Sequence, residues 1–343
     1  MTTRAAVSDD SHYLADHTRA TVFSGNGRER PLADAADISD VLAAEPDAFV
    51  WLDVTEPNPR VFELIRDEFR MHPLAIEDAL TSHQRPKIEA YGDTWFVVVY
   101  AATRDADVLA LHEVAVFVGK RFAVTVRAKP AYPLDEFRRR WSHERTPNHA
   151  DGGTFLYTLI DTVVDGYRPI GEAFEDHVEA LEEALLGKDA RTRDVLLEIF
   201  EMKKSLATFR RAVVPVRDIL TPIMRGDIVL FSGDTDELPY FRDVFDHVSI
   251  VTEQLDAARD LINNARDTHI ALASNRQNDV AKQLTIVATV FLPLTFVTGF
   301  FGQNFGFLIN HITSTASFWW LGIGSEVVAL VALLAYFRFK RWF

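Results

Sequence analysis

The stretch LTIVATVFLPLTFVTGFFG, Leu284 to Gly302, decides the architecture. It lies within Gln283 to Ser325, where not one Asp, Glu, Lys or Arg occurs. As a helix it is long enough to cross a hydrocarbon core of about 30 Å. A second apolar run, Phe318 to Phe337 (FWWLGIGSEVVALVALLAYF), begins with two tryptophans suited to the membrane–water interface and ends before Arg338, Lys340 and Arg341. Arg276 and Lys282 precede the first run and the connecting loop has no Lys or Arg, so the positive-inside bias puts both ends of the pair in the cytoplasm. Two spans are expected, at about 284–304 and 318–337.

Reading toward the N-terminus, Val244, Val248, Val251, Leu255, Ala258, Ile262 and Ala265 alternate steps of four and three, a heptad seam able to pack over several turns. No proline falls between Pro239 and Pro293, so one helix from about Leu238 to Phe301 is expected, roughly 95 Å long at 1.5 Å per residue. Further back, helices are expected over Thr154 to Leu186 and Thr192 to Met224. Before these, strand patterns at Ala48 to Val54, Thr94 to Ala102, Leu109 to Val118 and Phe122 to Val126 accompany helical patterns at Pro59 to Phe69 and Pro73 to Leu80. The expected division is an α/β domain over residues 1–150, a long-helix stalk over 151–282 and a two-helix membrane domain over 283–343.

Charge is distributed unevenly. The formal net charge is −14, yet the charged residues after Ala281 (Lys282, Glu326, Arg338, Lys340 and Arg341) sum to +3, leaving −17 on the first 281 residues. So acidic a body disfavours nucleic acid as a partner and suits cations. The absence of cysteine excludes disulfides, thiolate metal sites and thiol nucleophiles. No Gly-x-x-x-x-Gly-Lys-Ser/Thr motif points to a nucleotide-driven pump, and no nucleophile–base constellation points to an enzyme. The first residues, MTTRAAVSDDSHYLADHTRA, lack the apolar core of a secretion signal, so the acidic domain is expected to stay in the cytoplasm of a plasma-membrane protein.

On the long helix, Asn278, Ala281, Leu284, Ala288, Leu292, Thr295, Gly299 and Gly302 recur at three or four residues and share one face, most of it small or polar. Such a stripe serves either a pore built from several copies around an axis or a close-packing face between helices, and spacing alone does not separate the two.

The chain resembles CorA-type magnesium transporters, in the two-transmembrane Gly-x-Asn superfamily that also includes ZntB-type zinc transporters. The segments that carry the resemblance are Phe301-Gly302-Gln303-Asn304-Phe305, His72-Pro73-Leu74-Ala75-Ile76-Glu77-Asp78, Arg85-Pro86-Lys87-Ile88-Glu89, Tyr240 to His247, and Leu284 to Phe296. The resemblance implies a funnel-shaped homopentamer whose first spans line the pore. Gly302, Gln303 and Asn304 would form the selectivity filter, with Asn304 giving a ring of amides at the outer mouth. Asn278 would form the inner polar ring, and Leu284 and Leu292 apolar constrictions. Glu77 and Asp78 would lie near Asp243 of a neighbouring subunit, with Asp246 and His247 close by, where a regulatory divalent ion would bridge carboxylates and hold the pore closed. From the residues alone, Glu77 and Asp243 read instead as helix caps or as partners of Arg85 or Arg242.

Gln303 stands where the family usually has Met, Phe301 where it has Tyr, and the loop Gly306 to Ser317 carries no carboxylate. Three functions follow for test: potential-driven passage of Mg²⁺, Co²⁺ or Ni²⁺ gated by intracellular divalent ions, proton-coupled Zn²⁺ transport, and a non-conducting metal-responsive scaffold. Glu326 lies eight residues after Phe318, about 12 Å along a helix and near the bilayer midplane. A charge there costs about 2.5 to 3.5 kcal/mol on insertion scales. It is expected either to bond Ser325, Thr298 or a backbone carbonyl as a neutral acid, or to act as a proton or cation site.

Overall fold

The structure, a computed structural model, describes residues 17–340 apart from 26–27, 82–83, 106–107, 129–131, 145–150, 187–191, 229–237, 304–305 and 312–313. The chain forms two compact units, Met1–Arg266 and Asp267–Phe343.

The first unit is built on a seven-stranded sheet. Its strands are β1 (Thr18–Phe23), β2 (Glu29–Pro31), β3 (Phe49–Thr55), β4 (Lys87–Tyr91), β5 (Thr94–Asp105), β6 (Val108–Gly119) and β7 (Phe122–Arg127), in the spatial order β2-β1-β3-β7-β6-β5-β4. Only β3 and β7 run parallel, in the register Trp51 to Ala123 and Asp53 to Thr125. That pair carries a polar chain: Trp51 Nε1 donates to Thr125 Oγ1 at 3.0 Å, Thr125 Oγ1 donates to Asp53 at 2.7 Å, and the Arg127 guanidinium holds both Asp53 oxygens at 2.6 and 2.7 Å. Buried polar groups cost little only when paired in this way.

The two-residue period of the strands sorts the core into two layers. Phe49, Trp51, Val97, Val99 and Ala101 face one side, where α4 (Asp135–Glu144), α5 (Gly152–Asp165), α6 (Arg168–Leu186), α7 (Thr192–Met224) and the first half of α8 (Leu238–Phe301) contribute side chains. Val50, Leu52, Val54, Phe96 and Val98 face the other, covered from α1 (Ile38–Ala44), α2 (Pro59–Phe69) and α3 (Pro73–Leu80). Asn58 caps α2 by accepting from the Val61 N–H at 2.9 Å, and both α2 and α3 begin with Pro, which has no N–H to leave unsatisfied there.

The expected helix over Thr154 to Leu186 is two helices. Gly166 closes α5, and Pro169 cannot donate to a carbonyl one turn back, so α6 starts afresh at Arg168. The long helix runs unbroken from Leu238 to Phe301 as expected, and its whole heptad seam, Val244 to Ala265, is buried to 2 % exposure or less.

In the second unit α8 continues through Asp267 to Phe301, followed by α9 (Gly306–His311) and α10 (Thr315–Phe339). The unit holds both membrane-length apolar segments, the end of α8 and α10. The turns Phe318–Ile323 of α10 are π-helical, a local widening of the helix.

Candidate ion pathway and metal site

All eight stripe residues, Asn278, Ala281, Leu284, Ala288, Leu292, Thr295, Gly299 and Gly302, are exposed, Leu284 and Leu292 each to 71 %. The arc of α8 that the chain itself half covers is a different one: Ile286, Val290, Pro293, Leu294 and Val297. At about 100° per residue the two arcs are centred roughly 180° apart. The small and polar face is therefore not used for packing within one chain. The Thr295 hydroxyl donates back to the Phe291 carbonyl at 2.8 Å, which leaves its oxygen lone pairs free to accept a hydrogen bond on that face.

Gly302 and Gln303, two of the three residues expected to form the filter, sit where α8 ends. The Gly302 N–H donates to the Thr298 carbonyl at 2.9 Å and the Gln303 N–H to the Phe300 carbonyl at 3.3 Å, which tightens the last turn. A Cβ on Gly302 would stand 3.0 Å from the Thr298 carbonyl oxygen, so a side chain there would press on backbone, not on a movable side chain. A helix C-terminus carries partial negative charge and favours a cation beside it. Asn304 lies outside the described residues.

The acidic residues behave differently from one another. Asp78 Oδ2 accepts from Lys87 Nζ at 2.8 Å and from the Tyr91 hydroxyl at 3.0 Å, while no described residue donates to Oδ1. The hydrogen bond from Lys87 holds the Asp78 carboxyl below the usual carboxylate range, against a smaller upward push from burial. The pair thus stabilises the fold at neutral pH and is lost only as the pH falls below the ordinary carboxylate range through the depressed value. Asp78 is thereby kept ionised with one oxygen open. Glu77 is exposed, and among the described residues neither Arg85 nor Arg242 pairs with Glu77 or Asp243.

Asp243 and His247 lie one helical turn apart on α8, with Nε2 3.9 Å from the Asp243 carboxylate. Asp161 of α5 completes a triplet, since one ligand atom from each of Asp161, Asp243 and His247 lies within 4.8 Å of the others. Asp246 is exposed and is not part of it. Asp161 is 8 % exposed and is bound by Arg140 Nη1 at 3.0 Å, which also pairs with Asp165 at 2.7 Å. A carboxylate in the middle of the apolar run LYTLIDTVV was the sequence signal for Asp161, because a buried charge needs a partner.

The family model for CorA-like Mg²⁺ transporter proteins matches residues 46–341. The chain belongs to that family. Members of the CorA family are membrane proteins that transport metal ions and are not enzymes. Among curated proteins it is 30 % identical over 300 residues to the cobalt/magnesium transport protein CorA of Thermotoga maritima, covering 85 % of this chain and 83 % of that one. It is 26 % identical to the zinc transport protein ZntB of Cronobacter sakazakii, over 96 % and 95 % of the two chains. Among solved structures, the CorA magnesium transporter of Methanocaldococcus jannaschii superposes with a TM-score of 0.78 at 20 % identity, over 95 % and 99 % of the two chains.

One part of this CorA-family chain departs from its signature segments. Glu326 lines a cavity of about 490 Å³ together with Thr298, Gly302, Gln303 and Ser317. The expected partners are engaged elsewhere: the Thr298 hydroxyl donates to the Leu294 carbonyl, and the Ser325 hydroxyl to the carbonyls of Leu321 and Gly322. Among the described residues, no group donates a hydrogen bond to Glu326. It is the only titratable group among the described residues lining that cavity.

Proposed function

We infer that the chain assembles as a homopentamer in the plasma membrane, both termini cytoplasmic, and conducts hydrated divalent cations down the membrane potential. The ions are Mg²⁺ foremost, with Co²⁺ and Ni²⁺ accepted. The observation that carries this reading is the exposed stripe from Asn278 to Gly302, which lies opposite the covered arc of α8 and ends at a cation-favouring helix terminus. Five such stripes around an axis give a conduit with polar rings and apolar constrictions at Leu284 and Leu292, which close by excluding water. Gly302, Gln303 and Asn304 form the filter, and the Asn304 amides hold the waters that Mg²⁺ gives up reluctantly. A double charge crossing about 100 mV gains roughly 4.6 kcal/mol, which suffices for uptake without ATP.

Intracellular divalent ions close this pore by bridging carboxylates at the subunit boundary. Asp78 offers its open oxygen, supported by Glu77, and Asp243 of the partner subunit faces it, with Asp246 and His247 adding ligands or holding water. Without the ion these negative groups repel and the boundary loosens.

A second reading, proton-coupled Zn²⁺ transport, is favoured by the intramembrane carboxyl of Glu326 beside Gln303 and by the similarity to ZntB. Uptake of Mg²⁺, Co²⁺, Ni²⁺ and Zn²⁺ into proteoliposomes, with and without a pH gradient, separates the two. The channel reading expects Glu326→Gln to retain wild-type uptake at every pH. Loss of a pH dependence that the unaltered protein shows would favour proton coupling instead.

A further inference from the structure

We propose that the cavity walled by α7, α8 and strands β5 and β6 in the first unit binds an organic polyphosphate of the nucleoside di- or triphosphate class. Its volume is about 730 Å³, within the range of roughly 300–1,000 Å³ that small-molecule sites occupy and far more than a single phosphate fills. Five cationic side chains line it, Arg85, Lys203, Arg210, Arg211 and Arg259, and no described carboxylate does. That concentration of positive charge occurs in a protein whose formal net charge is −14.

Local neutralisation accounts for only part of the charge. Arg210 pairs with Asp256, and Lys203 donates to Asn263 Oδ1 at 3.2 Å. Arg85, Arg211 and Arg259 have no ion pair or hydrogen bond with any described residue. They reach the cavity from three different parts of the chain: the segment before β4, α7 and α8. Like charges gathered without a counter-charge repel, and a polyanion relieves that repulsion while offering oxygens that match the guanidinium fork.

Apart from Gln84 and Thr208, the remainder of the wall is largely apolar and suits the base and sugar. Leu111, Leu206 and Val214 line it, as does Tyr100, whose hydroxyl is anchored at 2.7 Å to the Gln84 carbonyl and at 2.9 Å to Glu113. An aromatic ring held in place at its far end is a platform on which a nucleobase can stack. A cationic rim and an apolar wall together select a nucleotide over inorganic phosphate. Arg259 stands on α8, the same helix that carries the pore stripe.

The test is equilibrium binding of ATP, ADP and inorganic tripolyphosphate to the full-length protein in detergent, with EDTA present so that no divalent ion bridges ligand to carboxylate. ATP is expected to bind saturably and more tightly than tripolyphosphate. The combined variant Arg85→Ala/Arg211→Ala/Arg259→Ala is expected to lose about tenfold or more in affinity, since each charged hydrogen bond removed weakens binding. Because all three arginines are exposed, the variant should keep the thermal midpoint of the unaltered protein. As an independent measurement on the unaltered chain, photolabelling with 8-azido-ATP should mark peptides containing Tyr100 or Leu206. Absence of saturable binding, unchanged affinity in the triple variant, or labelling confined to other peptides would overturn the site. Tripolyphosphate binding as tightly as ATP would overturn its assignment to nucleotides.

Discussion

Asn304→Ala is expected to reduce divalent-cation flux to the background of empty liposomes while the oligomer stays assembled. In the proposed pentamer the substitution would remove five carbonyl acceptors from the outer mouth in one step, and with them the groups that would exchange hydrogen bonds with the ion's water shell. It leaves the heptad seam untouched, because the buried residues from Val244 to Ala265 lie more than ten helical turns before it. Flux of Mg²⁺ or Co²⁺ into proteoliposomes and size-exclusion chromatography of the same preparation read the two effects separately. Normal metal-dependent flux in the variant would remove Asn304 from the filter. Gly302→Ala serves as a companion, since the added methyl would press on the Thr298 carbonyl and displace the turn that carries Gln303 toward Asn304. Its flux should fall as well, for a steric reason.

Asp243→Asn is expected to raise the concentration of intracellular divalent ion needed for half-maximal closure by about tenfold, within the range typical of coupling between sites. The carboxylate is exposed and its one near neighbour on the helix, His247, is 3.9 Å away, so the substitution costs the fold little. What changes is the negative charge that a bound cation offsets. Inhibition with the same midpoint and depth in the variant would place the sensor elsewhere. Asp161 makes a poorer probe of the same region. Its carboxylate is buried and held by Arg140, which also pairs with Asp165, so a substitution there disturbs an ion-pair network of the fold as well as any bound cation.

The long helix was legible because two signals of different kind meet on it. The heptad seam specifies burial up to Ala265, and the uncharged run after Lys282 specifies a membrane span, with no glycine or proline between them to interrupt the helix. The helices Pro59–Phe69 and Pro73–Leu80 were legible for a local reason, an N-terminal proline followed by apolar residues at helical spacing. Strand β4, KIEAY, was not: it is a 5-residue edge strand whose alternation rests on Ile88 and Ala90 alone, too short and too weakly apolar to stand out. Helix α4, DEFRRRWSHE, hid for a similar reason, since only Phe137 and Trp141 within it are fully buried.

The stripe on α8 could be read from spacing, whereas its use could not, because small residues serve pores and helix contacts alike. Burial places the half-covered arc on the opposite side, which leaves the stripe free for contacts beyond the single chain, a pore or a neighbouring helix alike. Asp161 was missed because its partners Asp243 and His247 are distant in sequence and joined only by the packing of α5 on α8. The arginine-lined cavity has the same origin, three chain segments that no motif links.

The central claim is that this chain passes divalent cations electrogenically, and a planar-bilayer recording of the purified wild-type protein tests it most directly. With Mg²⁺ as the only permeant cation, no pH gradient and a chelator on the cytoplasmic side, the account predicts a current carried by the metal. Its reversal potential should move by about 30 mV for each tenfold change in the Mg²⁺ gradient, as a doubly charged carrier requires. A current that appears only when a pH gradient is imposed, or no metal-dependent current at any potential, would contradict it.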